Sequence, residues 1–198
     1  MNTSTRYQLA GGLSLAMAVL GIPMVVLAAV IGRAAQSGAI SGLASRSMTA
    51  ALSVASYAIG IYVYAALRHL FETRHGFPGA SGPLRALITL SVAMGACTIL
   101  GVASAHVQMW GARLSLLSLV AFGILDIVIG LRVLRAEIDL SGLRKPYACT
   151  TLAGGICYAT ILLFPIGILV SVASGILVAL IFFRESSQLR AAEGCAGK

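Results

Sequence analysis

Residues 147–183 run for 37 positions without a charged side chain. As one straight α-helix this segment would reach roughly 55 Å, well beyond the ~30 Å hydrocarbon core of a bilayer. Near its middle lies Phe164-Pro165-Ile166-Gly167. Proline removes a backbone donor and disfavours helical conformation in the residue before it. The segment is therefore expected to fold back on itself as two short helices of about 17 residues each, the lower limit for crossing a bilayer. The alternative is a single tilted, kinked helix with protruding ends.

Four more apolar stretches precede it, at 9–31, 48–67, 86–109 and 114–131. The chain is 59% hydrophobic and 10% charged, with mean hydropathy +0.96. A soluble domain is nearer 45–50% apolar and about 25% charged, so this chain lacks the polar surface to face water on all sides. The first stretch exceeds the 7–15 residues typical of a signal-peptide apolar core and is expected to be retained as a membrane helix. The expected fold is an all-α, polytopic transmembrane bundle of six helices arranged as three hairpins, with five helices as the alternative. Residues 1–198 are expected to form one integral membrane domain, with a short C-terminal tail at 184–198.

Charge decides between six and five. Loops on the cytoplasmic side of a membrane are enriched in Lys and Arg. With six helices, Arg6, Arg68, Arg74, Arg85, Arg132, Arg135, Arg144, Lys145, Arg184, Arg190 and Lys198 fall on one side. Arg33, Arg46 and Arg113 fall on the other, an asymmetry of eleven to three. With five helices the tail changes sides and the counts become eight and six. The six-helix arrangement is preferred, with both termini cytoplasmic. The excess of Arg over Lys, with many Ala and Gly, points to a bacterium with a GC-rich genome, and hence to the cytoplasmic (inner) membrane.

The net charge of +8 does not imply nucleic acid as a partner, because the basic residues stand singly at the ends of apolar runs, where they anchor helices among lipid headgroups. The loops around Arg68–Pro78 and Arg132–Lys145 mix basic with aromatic or aliphatic residues and read as ordinary flanks of membrane helices, with headgroup contact as the other reading. Cys97, Cys149, Cys157 and Cys195 form no C-x-x-C pair, and the first three read as small hydrophobes within apolar runs.

Asp126 is the only acidic residue inside a long apolar stretch. A carboxylate in hydrocarbon is costly unless paired or protonated, and such residues often mark ion or proton pathways. Gly123 and Gly130 share its helical face, at i−3 and i+4, and glycine allows a second helix backbone to approach closely. Asp126 is therefore expected to face the bundle interior. It lies six residues from Arg132, about 9 Å along the helix axis. At the same depth in the six-helix arrangement are Ser91, Tyr62 and Thr150, with Tyr64 and Thr151 beside them. These hydroxyls form an expected polar layer around Asp126, either as a proton or cation site or as a buried contact that fixes helix register.

The remaining signals are weaker. His69 and His75 lie on the arginine-rich side and His106 near the opposite end, so a bis-histidine haem site is not expected. His69 and His75 read as solvated loop residues rather than metal ligands. Small residues form stripes at helical spacing: Thr49, Ser53, Ser56, Gly60 and Tyr64, then Ser91, Gly95 and Thr98, then Gly167, Ser171 and Gly175. Such stripes favour close helix packing within a chain or between chains. No zinc-protease motif, nucleophile elbow or phosphate loop is present, so no cofactor, no metal and no catalytic residue is expected. The leading expectation is a non-enzymatic multispan protein that packs with itself or with a membrane partner. Its rival is a small proton- or cation-coupled transporter or channel using Asp126. A water-accessible cavity reaching Asp126 would favour the rival, and a dry core the former.

Overall fold

The computed structural model describes residues 2–140 and 142–196, with side chains throughout except at 105–109, 112 and 193–196. Among the described residues the chain forms six α-helices and no strand. They are α1 (Thr3–Gln36), α2 (Gly42–Thr73), α3 (Ser81–Ala103), α4 (Ala105–Arg135), α5 (Arg144–Ala159) and α6 (Phe164–Ala196), with a short 3-10 turn at Pro78–Ala80. Five of them, α1, α2, α3, α4 and α6, are long and apolar enough to cross a membrane. The fifth helix in sequence, α5, has 16 residues, or about 24 Å, short of a full ~30 Å crossing. The chain is a multipass helical membrane protein.

The break in the long uncharged segment falls at 160–163, just before Pro165. The α5 helix closes when Thr160 turns both its N–H and its hydroxyl onto the Ile156 carbonyl, at 3.1 and 2.9 Å. Ile161 then adopts a left-handed conformation, φ 56°, which is costly for a β-branched residue and forces the reversal. Pro165 sits in the first turn of α6, where its missing N–H is not needed. Gly167 lets α6 fold back along α5: a Cβ there would lie 3.1 Å from the Cβ of Cys157 and 3.1 Å from the Tyr158 ring.

The two arms of this reversal differ from the equal short helices expected from the sequence. The α6 helix runs for 33 residues because the segment expected as a tail, from 184 onward, remains helical to Ala196. No proline interrupts 184–196, and Arg, Leu, Ala and Glu are good helix formers. Tertiary packing fixes this extension, since Glu185 and Ser186 are both buried.

The helices close into a ring in chain order. Each packs on its neighbours in sequence, and α1 packs on α6 to complete the circle; among the described residues these are the helix pairs whose backbones come close. At the α1–α6 seam the Ser14 hydroxyl donates to the Gly175 carbonyl at 2.9 Å, and Gly11 lies against the Phe183 ring. Many large apolar side chains point outward, among them Val19, Val26, Val30, Leu117 and Leu169, as expected where the solvent is lipid.

Apolar packing seals the arginine-rich end of the ring. Tyr7, Leu67, Leu70, Phe71, Leu84, Leu87, Ile129, Val133 and Phe182 are fully buried there. Tyr7 stacks on Phe182, with ring centroids 5.9 Å apart, and its hydroxyl meets Nδ1 of His69 at 3.0 Å. Polar contacts tie the helix ends together. Glu185 lies 3.6 Å from Arg74 and 3.4 Å from Nε2 of His75. Glu72 accepts from Arg68 at 3.0 Å and from the Ser81 hydroxyl at 2.5 Å. Arg132 donates to the Gly79 carbonyl and Arg144 to the Ala136 carbonyl.

This corrects the reading of His69 and His75 as solvated. Both are partly buried: the His69 ring meets the Tyr7 hydroxyl of α1, and His75, in the turn after α2, lies against the Glu185 carboxylate of α6. The side chains of His106 and Cys195 lie outside the described residues.

Candidate functional site

The site begins with the contact between α4 and α5. A Cβ on Gly123 would lie 2.6 Å from the backbone N of Ala159 and 2.6 Å from the Gly155 carbonyl oxygen. A Cβ on Gly155 would lie 2.6 Å from the Gly123 carbonyl oxygen and 2.8 Å from the Ile127 nitrogen. Gly130 repeats the arrangement about two turns along, with the Ala148 carbonyl oxygen at 2.9 Å. Backbone therefore rests on backbone along this pair, as small residues permit in membrane helices. With α4 pinned in this way, Asp126 is turned toward the middle of the ring.

There it lines a cavity of about 490 Å³. Each contributing helix offers a stripe with three- to four-residue spacing. From α1 come Ser14, Met17, Ala18, Gly21 and Val25; from α2, Gly60, Val63, Tyr64 and Leu67; from α4, Leu119, Phe122 and Asp126. The α5 stripe is Tyr147, Thr150, Thr151, Gly154 and Tyr158, and α6 supplies residues from Phe164 to Val178, including Ser171 and Ser174. Leu67, Tyr147 and Val178 border the packed arginine-rich end, so that end of the cavity is floored by the core.

Most hydroxyls in the lining are already engaged. Tyr158 and Ser171 share a hydrogen bond of 2.5 Å, and Thr151 and Ser174 one of 3.3 Å. Thr150 donates back to the carbonyls of Pro146 and Tyr147, at 2.9 and 3.0 Å. The phenols of Tyr64, Tyr147 and Tyr158 lie within Coulombic reach of Asp126. Among the described residues, none donates a hydrogen bond to Asp126 or forms an ion pair with it. The carboxylate is the one acidic group in the lining, which contains no Lys, Arg or His.

Of the four residues expected from sequence to share a layer, Asp126 and Thr150 meet at this cavity, while Ser91 and Tyr62 are not part of its lining. Ser91 is buried on α3, a helix that contributes nothing to the cavity wall. Tyr62 is half-buried and packs against the apolar core. The depth argument fixed height along the helix but not rotation about it. Tyr62 and Tyr64 stand almost at the same height, yet two residues turn a helix by roughly 200°, and Tyr64 is the one that points inward. Tyr147, Tyr158 and Ser171 were missed as site residues. The small-residue stripes would have found Ser171, which lies between Gly167 and Gly175 on α6, as Gly60 leads to Tyr64 on α2; no such stripe marks Tyr147 and Tyr158 on α5. Among the described residues, no three His, Cys, Asp or Glu side chains come together as a metal site.

Fold and site together define a multipass helical membrane protein with an internal cavity and a single unpartnered carboxylate on its wall. The sequence matches no family model and no curated protein, and no solved structure matches it.

Proposed function

We propose that this protein is a small, non-enzymatic transporter or channel of the bacterial cytoplasmic membrane, with both termini on the cytoplasmic side, in which Asp126 binds a proton or cation. The observation that carries this reading is the unpartnered Asp126 carboxylate on the wall of a cavity of about 490 Å³. A carboxylate that served only to fix helix register would be expected to hold a partner on another helix. Asp126 instead faces open volume, as ionisable groups on transport pathways do.

The competing reading, a protein that acts by packing with itself or with a membrane partner, draws on small-residue stripes that also serve contacts between this chain's own helices. Gly123, Gly130, Gly155, Gly167 and Gly175 all make their close contacts within one chain. The eleven-to-three distribution of basic residues supports the orientation, because the up-and-down helices gather Arg6, Arg68, Arg132 and Arg184 at the sealed end.

The test is flux in reconstituted vesicles with a pH-sensitive dye trapped inside. Wild-type protein is expected to dissipate an imposed pH gradient, alone or when a counter-cation is supplied. Asp126→Asn is expected to abolish that flux, because an amide cannot take up and release a proton. Unchanged flux in a folded Asp126→Asn protein would overturn the reading, and so would wild-type vesicles as tight as empty ones.

A further inference from the structure

Resting on the reading of Asp126 as a binding group, we infer that the cavity takes a singly charged organic cation with an apolar body, its charge held by Asp126 among the rings of Phe122, Tyr64 and Tyr158. Charge sets the first constraint. One carboxylate lines the cavity and no basic side chain does, so a single positive charge is matched and an anion is opposed. A desolvated carboxylate gains most from a partner that neutralises it without adding a second uncompensated charge.

Ligand number sets the second constraint. A bare inorganic cation such as Ca²⁺ or Mg²⁺ demands about six or more oxygens at short range. Here the lining supplies one carboxylate and a few hydroxyls, several of them already paired with one another, Tyr158 with Ser171 and Thr151 with Ser174, which falls short of such a shell. An organic cation carries its charge spread over carbon and needs no such shell.

Shape and surface set the third. Phe122, Tyr64 and Tyr158 line the same cavity as Asp126; aromatic rings attract cations through their quadrupoles, and quaternary ammonium groups are recognised in this way. The Tyr158 ring is held by its 2.5 Å hydrogen bond to Ser171 and by contact with Phe164, at a centroid distance of 6.0 Å. The remaining wall is largely aliphatic, including Val63, Leu119 and Val172, and the volume falls in the range of about 300–1,000 Å³ typical of small-molecule sites.

Proton and organic cation then compete for one carboxylate. The titratable groups facing Asp126 are Tyr64 from α2 and Tyr147 and Tyr158 from α5, whereas α1 and α6 offer hydroxyl and apolar groups and α3 does not reach the cavity. None of these phenols ionises near neutral pH, so Asp126 alone sets the pH dependence there. Binding should weaken as pH falls, approaching tenfold per unit below the point where Asp126 takes up its proton.

The experiment is equilibrium binding of radiolabelled tetraphenylphosphonium to the full chain in lipid nanodiscs, with empty nanodiscs as background and tetraphenylborate as an anion of the same shape. The expected result is one saturable site for the phosphonium, none for the borate, weakening at low pH, and at least tenfold loss in Asp126→Asn with recovery in Asp126→Glu. The wild-type pH series and the borate control hold even if a variant fails to fold. Equal binding of the two ions, or phosphonium binding independent of both pH and Asp126, would overturn the inference. Absence of phosphonium binding together with Asp126-dependent proton flux would overturn the organic-cation assignment and leave the proton site standing. Absence of both would overturn the inference and the reading beneath it.

Discussion

Two carboxylates lie within the helical ring, and their surroundings are opposite. Glu185 is only 3% exposed and faces the Arg74 guanidinium at 3.6 Å and the His75 ring at 3.4 Å. It sits in the sealed end, among the aromatic and aliphatic side chains that join α1, α2, α3 and α6. Asp126, in the middle of the ring, has no ion-pair or hydrogen-bond partner among the described residues and borders open volume. A carboxylate with its counter-charge already in place contributes to holding helices together. A carboxylate that lacks one is left free to take a proton or a cation, and the fold must supply rigidity from elsewhere. Here that rigidity comes from glycine contacts between α4 and α5, which place Asp126 without bonding to it.

The largest expected effect breaks this division of labour at its support. Gly155→Val places a branched side chain where a single Cβ would already meet the Gly123 carbonyl oxygen at 2.6 Å. The obstacle is backbone, so no side-chain rotation relieves it. We expect a loss of about 3 kcal/mol or more, at or above the usual upper range for overpacking, seen as a lowered midpoint in detergent denaturation. Wild-type stability in this variant would show that α4 and α5 separate freely and that their contact does not position Asp126.

The next effect tests the sealed end. Glu185→Gln keeps the shape of the side chain but removes its charge, leaving Arg74 and His75 without their partner. The Arg74–Glu185 contact is an ion pair at 3.6 Å with an exposed guanidinium, and solvent screens such pairs to about 1 kcal/mol or less, so we expect a loss of about 1 kcal/mol. It should appear as a reduced thermal midpoint and as faster proteolysis at the α2–α3 turn, while Asp126-dependent flux is retained. Loss of flux with no change in stability would mean that Glu185, too, belongs to the transport path.

How much of this was legible in the sequence follows the same division. Hydropathy alone located the membrane helices, because a run such as 9–31 has no other physical solution, and Pro165 marked the reversal to within a few residues. The length of α6 was not legible. The charged segment 184–196 looks like a tail until the burial of Glu185 and Ser186 is known, and no local pattern announces the contact of Glu185 with Arg74 and His75 across more than a hundred residues. Gly123 and Gly130 around Asp126 pointed correctly to close packing on that face, since glycine at helical spacing has a direct steric meaning. The companions of Asp126 were only partly legible. Thr150 and Tyr64 could be placed by height, but Ser91 and Tyr62 could not be excluded without knowing that α3 stands away from the cavity and that Tyr62 is turned out of its lining. Rotation about a helix axis and the order of helices around the ring are tertiary facts.

The smallest expected effect is the most discriminating. Asp126→Asn should change stability by no more than about 0.5 kcal/mol in either direction, the range for substitutions that break no named interaction. The side chain holds no ion pair whose loss would strand a partner, as Glu185 does. Its volume and shape are kept, so the glycine contacts at 123, 130 and 155 are undisturbed. The amide remains polar toward the cavity, where it can still be solvated or bonded, and it removes the cost of holding an ionised group within the membrane. If the denaturation midpoint stays in place while pH-gradient dissipation disappears, one atom substitution has separated binding from architecture, and the contrast with Glu185 stands. If Asp126→Asn instead destabilises the protein as much as Glu185→Gln does, Asp126 has a structural partner after all, and the two carboxylates differ only in location.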